Sequence, residues 1–386
     1  RVSRIMRKDS VQRTILLAVL GSISLMPLLV LPVMVGSFVD HLALSDSEAG
    51  YVASAGFLGG ALVAIFVSLR IHHVDLRRMA YLGLGLMVLA DGGSIAVAHL
   101  NFWLFVIMRF LSGMGGAAAY ASVMGSFAGW REPDRAYGLF MAMQFAFSAV
   151  GLYGLPWILP DTGVAGILVL FTALDILALF LVSRLPAATE RRGAGLNAPV
   201  EWRVILAATS LLCLFGIGLF EAANMANFTY ADRIGISFGL DGEQIGLVLG
   251  LSTMLGIPAG FGVYIVGSRF GRFRPILAAV LIQVAALLLL LNGPGKAGYI
   301  VAMCLLAPCW GFALPYFQAI EARIDPGGSV VVAGGFATAF GGFIGPAIAA
   351  SLVSPGDYGA MIMTAGGSLF VVVGLMRVAT LRLGRQ

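Results

Sequence analysis

Four ionisable residues lie inside long apolar stretches of this sequence: Asp91, Arg109, Asp175 and Glu221. A charge at the centre of a membrane helix costs at least ~2.5–3.5 kcal/mol, so each is a candidate for binding or proton transfer. Arg109 is always protonated and carries a planar fork of donors. It can hold an anionic solute group or a carboxylate whose protonation changes. The plain alternative is a buried arginine bonded to backbone carbonyls. Ser112, Gly113, Gly116 and Tyr120 share its face at helical spacing. Glu221 opens the run Glu221-Ala222-Ala223-Asn224-Met225-Ala226-Asn227, whose amides follow at steps of three on one side of a helix. A carboxyl on such a polar arc can take up and release a proton. It can equally form a fixed ion pair with Arg109 that joins two parts of the chain.

Asp91 and Asp175 are a possible proton relay, or two protonated acids that hydrogen-bond internally with no transport role. Gln144 shares a face with Ser148, and Trp310, Tyr316 and Gln318 recur along one apolar segment. These are weaker contact candidates, because aromatic residues in membrane helices usually serve packing. Asp40, Asp46 and Glu48 cluster at the end of the first apolar run and are expected to be solvated. Four histidines without partner spacing, and three cysteines (Cys213, Cys304, Cys309) within apolar runs, indicate neither a metal site nor a disulfide framework. No His/Asp or Cys/His constellation suggests an enzyme, and no cofactor is implied beyond a coupling proton.

The elements that must position these residues follow from composition. Of 386 residues, 59% are hydrophobic and 11% charged. Soluble domains run nearer 25% charged, so a soluble enzyme is excluded and the bilayer becomes the first partner. Charges, Pro-Gly pairs and polar clusters divide the chain into twelve apolar spans. They lie at about 14–38, 48–70, 79–99, 102–124, 136–158, 164–184, 204–230, 244–267, 276–292, 299–320, 330–353 and 360–381. With the N-terminus placed inside, 21 of the 24 Lys and Arg residues fall on the inner side; Arg233 and Lys296 fall outside, and Arg109 within a span. That bias puts both termini in the cytoplasm of a protein of the inner membrane. The net charge of +5 therefore reports orientation and not nucleic-acid binding.

The chain aligns with itself at an offset of 196 residues: Gly50 on Gly246, Gly60 on Gly256, Arg78 on Arg274 and Gly115 on Gly311. An offset of six spans preserves orientation, which predicts an all-α membrane protein of two six-helix bundles related by a pseudo-two-fold axis along the membrane normal. The bundles are 1–184 and 204–386, joined by a polar cytoplasmic linker at 185–203, and the chain is expected to be a monomer.

These features resemble the major facilitator superfamily. Its loop motif, Gly-x3-Asp-Arg-x-Gly-Arg-Arg/Lys, is similar to Gly267-Ser268-Arg269-Phe270-Gly271-Arg272-Phe273-Arg274, with Ser268 in place of the acid. The earlier loop, His72-His73-Val74-Asp75-Leu76-Arg77-Arg78, keeps only the basic pair. Arg109-Phe110-Leu111-Ser112-Gly113-Met114-Gly115-Gly116-Ala117 resembles the Arg-x3-Gly-x-Gly-x-Ala motif of the fourth helix. The Gly-Pro motif associated with antiporters is missing from the fifth span, while Gly341, Gly345 and Pro346 present a Gly-x3-Gly-Pro in the eleventh.

The resemblance implies a cavity lined by the first, fourth, seventh and tenth helices, with Arg109 looking inward. It implies a cytoplasmic gate at Asp75, Arg77, Arg78, Arg269 and Arg272. It implies proton-coupled secondary transport of a small organic solute, with an organic anion as the class that Arg109 favours, by alternating access between two rocking halves. A drug or amphiphile antiporter is the alternative, and a non-transporting receptor a further one. The expected binding and coupling residues are Arg109, Glu221, Asn224, Asn227, Tyr120, Gln144, Trp310 and Gln318.

Overall fold

The computed structural model describes residues 2–70, 74–127, 133–185, 201–292, 294–325 and 329–383. Most of the expected linker lies outside the described residues, as do His72, His73 and Arg131. The described chain is helical, with one isolated bridge, Ser354 to Asp357, ahead of the last helix.

In the first half of the chain the helices are α1 (Val2–Ser24), α2 (Met26–Leu29), α3 (Leu31–Leu42), α4 (Asp46–Arg70), α5 (Leu76–Val97), α6 (Phe102–Phe127) and α7 (Pro133–Leu181). They are followed by α8 (Trp202–Ile205), α9 (Ala208–Thr229), α10 (Ala231–Ser237), α11 (Gly242–Met254), α12 (Gly256–Val266), α13 (Phe273–Asn292), α14 (Gly295–Ile324), α15 (Ser329–Leu352) and α16 (Gly359–Leu383).

Among the described residues, ten helical segments are long and apolar enough to cross a membrane. The sequence predicts twelve spans, and the difference has two local causes. The first expected span is broken into α1, α2 and α3, because Pro27 and Pro32 each open a new helix where their missing N–H is harmless. The fifth and sixth expected spans run together as the 49 residues of α7. Gly163 interrupts α7 at φ 59° and ψ −159°, a backbone geometry that glycine tolerates and other residues resist.

The outer faces of the helices carry large apolar side chains such as Leu82, Trp103, Phe180, Phe215 and Phe370 in exposed positions. A soluble protein seldom shows so much contiguous apolar surface; lipid is the solvent that suits it. Between helices the contacts run through small residues. A Cβ on Gly113 would strike the backbone of Gly56, and one on Gly345 would strike the backbone of Ala222. These seams bring α6 onto α4 and α15 onto α9 at backbone distance. The Gly-x3-Gly-Pro of α15 is thus a packing seam, since Gly341 meets the carbonyl of Gly218 in the same way.

The two parts of the chain meet along α4 with α15 and along α7 with α11. Gly50 receives Tyr230 and Ala350 from the second part, while Gly246 receives Leu152 and Pro156 from the first.

Candidate functional site

Arg109 does not look toward Glu221. Its Nη2 donates to Asp91 Oδ1 at 2.6 Å, to Ser94 Oγ at 2.7 Å and to the Ala90 carbonyl at 3.3 Å. All three acceptors lie on α5. The guanidinium also lies 5.8 Å from the centre of the Phe105 ring, a cation–π contact on its own helix. Arg109 is 5% exposed and Asp91 fully buried. The arginine is therefore paired through Nη2 within the first part of the chain, while its Nε and Nη1 are buried without a partner among the described residues. No Arg109–Glu221 pair joins the halves. A buried cation takes the nearest carboxylate that can neutralise it, and α5 supplies one at the same depth. Asp175, on the second part of α7, lies within hydrogen-bonding reach of Asp91 and within the field of Arg109.

Glu221 sits on α9, is 5% exposed, and accepts the Trp310 indole N–H at 2.9 Å from α14. Close packing of Gly341 against its Cβ brings α15 to the same point. A carboxyl held by one donor, at the meeting of three helices, retains free lone pairs for a proton or a solute donor. Tyr316, also on α14, has a buried hydroxyl without a partner among the described residues.

The two asparagines turn elsewhere. Asn224 donates to the Phe220 carbonyl and accepts from Gln283 Nε2 at 2.8 Å, which ties α9 to α13. Asn227 donates to the Ala223 carbonyl and leaves Oδ1 buried without a partner among the described residues. Tyr120 packs beside Phe140 in the first half, with ring centres 5.7 Å apart. Gln144 is half-buried and Gln318 exposed, and neither is hydrogen-bonded to Glu221. Among the expected binding residues, Trp310 is the one that bonds to the candidate carboxylate.

The expected cytoplasmic gate is not an interhalf contact here. Asp75 caps α5 by accepting the backbone N–H groups of Arg77 and Arg78, and pairs loosely with Arg78 at 3.7 Å. Arg77 donates to the Leu185 and Ser183 carbonyls at 2.6 and 3.0 Å, within the first half. Arg269 is exposed and Arg272 half-buried, and neither forms an ion pair among the described residues.

The halves are instead bridged at the opposite end. Arg233 on α10 pairs with Asp40 at 2.7 Å and with Asp46 at 3.3 Å. Asp46 also accepts the Tyr358 hydroxyl through Oδ2 at 3.1 Å, and its carbonyl accepts the Tyr230 hydroxyl at 2.9 Å. Asp46 is 8% exposed, so the expectation of a solvated acid fails for it, whereas Asp40 remains half exposed. The second half comes down on the end of α4 and buries it.

Asp232, beside this bridge and outside the membrane-spanning helices, packs where a Cβ on Gly36 would strike its carboxylate. Burial pushes its carboxyl up to about 7; Arg233 opposes the rise and Asp40 adds to it. A cavity of about 320 Å³ adjoins the bridge, lined by Val39, Asp46, Arg233, Ile236 and Tyr358 among others, and it does not reach Glu221.

Three residues are not singled out by sequence alone. Gln283 is lost within an apolar span, Asp232 falls just past the end of another, and Glu321 closes α14. Glu321 is 1% exposed, packed against Gly334, with Oε1 lacking a donor among the described residues. The signal for it is an acid near the end of a span, four residues before Asp325, which reads equally as a solvated terminus.

A family profile described as Major Facilitator Superfamily matches residues 14–350. No curated protein matches the sequence. Among solved structures, the chain is similar to the nucleoside transporter NupG and to a point mutant of it. The mutant superposes with a TM-score of 0.75 at 12% identity, covering 95% of this chain and 99% of that one. The other NupG structure gives 0.74 at 12% identity, with 95% and 98% covered.

Proposed function

This chain belongs to the Major Facilitator Superfamily, and from that premise we propose that it is a proton-coupled secondary transporter of a small organic solute. The observation that carries the reading is the Glu221 carboxylate, buried at membrane depth and held by the Trp310 indole at 2.9 Å. A proton on Glu221 removes the charge and changes what its free oxygen can bind, so solute and proton can be exchanged at one group.

In this reading the membrane is crossed twelve times. The broken segment α1–α3 makes the first crossing, and α7 makes two by reversing at Gly163. Two halves, 1–184 and 204–386, flank a linker at 185–203, related by a pseudo-two-fold axis that the parallel roles of Gly50 and Gly246 support. The arginine-rich end faces the cytoplasm of the inner membrane. The bridge at Arg233 then closes the far side, which suits a state of an alternating-access cycle open toward the cytoplasm. The protein works as a monomer.

No anionic group is assigned to the solute, because Arg109 is engaged by Asp91. Nucleosides belong in the test because two solved structures of the same fold are of a nucleoside transporter. The experiment is flux into proteoliposomes under an imposed pH gradient, with nucleosides, organic acids and cationic amphiphiles as the panel. One class is expected to accumulate with the gradient and to stop when the gradient is collapsed. A fully folded protein that moves none of them would overturn the transport reading.

A further inference from the structure

Asp91, Arg109 and Asp175 come from three different helical segments, α5, α6 and α7, and are 0%, 5% and 1% exposed. Arg109 satisfies Asp91 Oδ1. Asp91 Oδ2 and Asp175 Oδ2 are both buried without a donor among the described residues, although the two carboxyl groups lie within hydrogen-bonding reach of each other. Two carboxylates cannot bond to one another without a proton, since both would only accept. The charged groups acting on Asp175 are Asp91 and Arg109. Two carboxylates and one guanidinium sum to −1, and a single proton brings the cluster to zero. In an apolar bundle the neutral total is the state with the smallest desolvation cost.

We propose that Asp91 and Asp175 hold one proton between them, with Arg109 as its fixed counter-charge, in a proton-binding site separate from Glu221. The proton sits on one carboxyl oxygen and is donated to an oxygen of the other; no bond other than that O–H is made or broken. The site lies wholly within the first half, so closing or opening the bridge at Arg233 leaves its three side chains together. It does not depend on the assignment of Glu221 as the coupling group.

The test is infrared spectroscopy of the full chain in lipid at neutral pH, where the C=O stretch of a protonated carboxyl is distinct from that of a carboxylate. Wild type is compared with Asp175→Asn, Asp91→Asn and Glu221→Gln. Either Asp→Asn change supplies an amide N–H that can donate where the shared proton did, which favours a folded variant. The expected result is that each Asp→Asn variant loses the same one-carboxyl band, while Glu221→Gln keeps it. Retention of every protonated-carboxyl band in the folded Asp→Asn variants overturns the proposal. So does a band that disappears only in Glu221→Gln, which would leave the transport reading standing and this one not.

Discussion

Arg233→Gln is expected to loosen the end of the molecule where the two halves meet. The substitution removes two ion pairs at once. The pair with Asp40 spans 2.7 Å, but Asp40 is half exposed. Solvent screening therefore limits it to about 0.2–1 kcal/mol. The contact with Asp46 is longer, 3.3 Å, and lies in a buried setting where Asp46 Oδ1 has no hydrogen-bond donor among the described residues. Removing the cation leaves that oxygen with no compensating charge, a loss of about 1–3 kcal/mol that the Tyr358 hydroxyl on Oδ2 only softens. A total of about 2 kcal/mol corresponds to roughly a 30-fold fall in the ratio of closed to open molecules. The assay is a spin-label distance between His41→Cys and Ser237→Cys, exposed positions on the two sides of the bridge, in a background lacking the three native cysteines. Arg233→Gln should add a longer distance that is absent or minor in the parent. An unchanged distance distribution would refute the reasoning, because it would mean that the bridge does not hold the halves.

Gly345→Ala should destabilise by about 1–3 kcal/mol, since the added methyl meets the Ala222 backbone and must part α15 from α9. Gly374→Ala on α16, with nothing within 4 Å of its Cβ position, should be neutral or stabilising; melting temperatures of the two compare directly. Asp232 gives a pH effect of definite sign. Its folded-state value of about 7 exceeds the ordinary aspartate value, so its contribution is fully present below about pH 4 and is lost as pH rises through about 7. Melting temperature should therefore fall between about pH 4 and about pH 7 more steeply in wild type than in Asp232→Asn.

Much of the helical order is readable because apolar runs and arginine clusters obey the bilayer, whatever the tertiary packing. The breaks are less so. Pro27 and Pro32 are visible, yet hydropathy averages over them and reports one span. Arg109 shows the limit most clearly. Helical spacing gives its face but not its neighbour, and the family resemblance turns it inward. The hairpin arithmetic holds the answer. Asp91 lies six residues before the end of α5 and Arg109 seven after the start of α6. At about 1.5 Å per residue the two share a depth. Glu221 is legible as an isolated acid in an apolar helix, and its partner Trp310 only as one aromatic among many. The bridge at Arg233 is hidden because its members lie at span ends, where charges normally meet water. The docking of α10 and Tyr358 against the end of α4 buries Asp46.

The most direct measurement is solute uptake by Glu221→Gln in proteoliposomes, scored separately for gradient-driven accumulation and for exchange at equal pH. Glutamine keeps an oxygen that can accept the Trp310 N–H while removing the titratable proton. If Glu221 couples the cycle, exchange persists and accumulation against a solute gradient is lost. Accumulation at the wild-type level under the same pH gradient would contradict the assignment of proton coupling to Glu221.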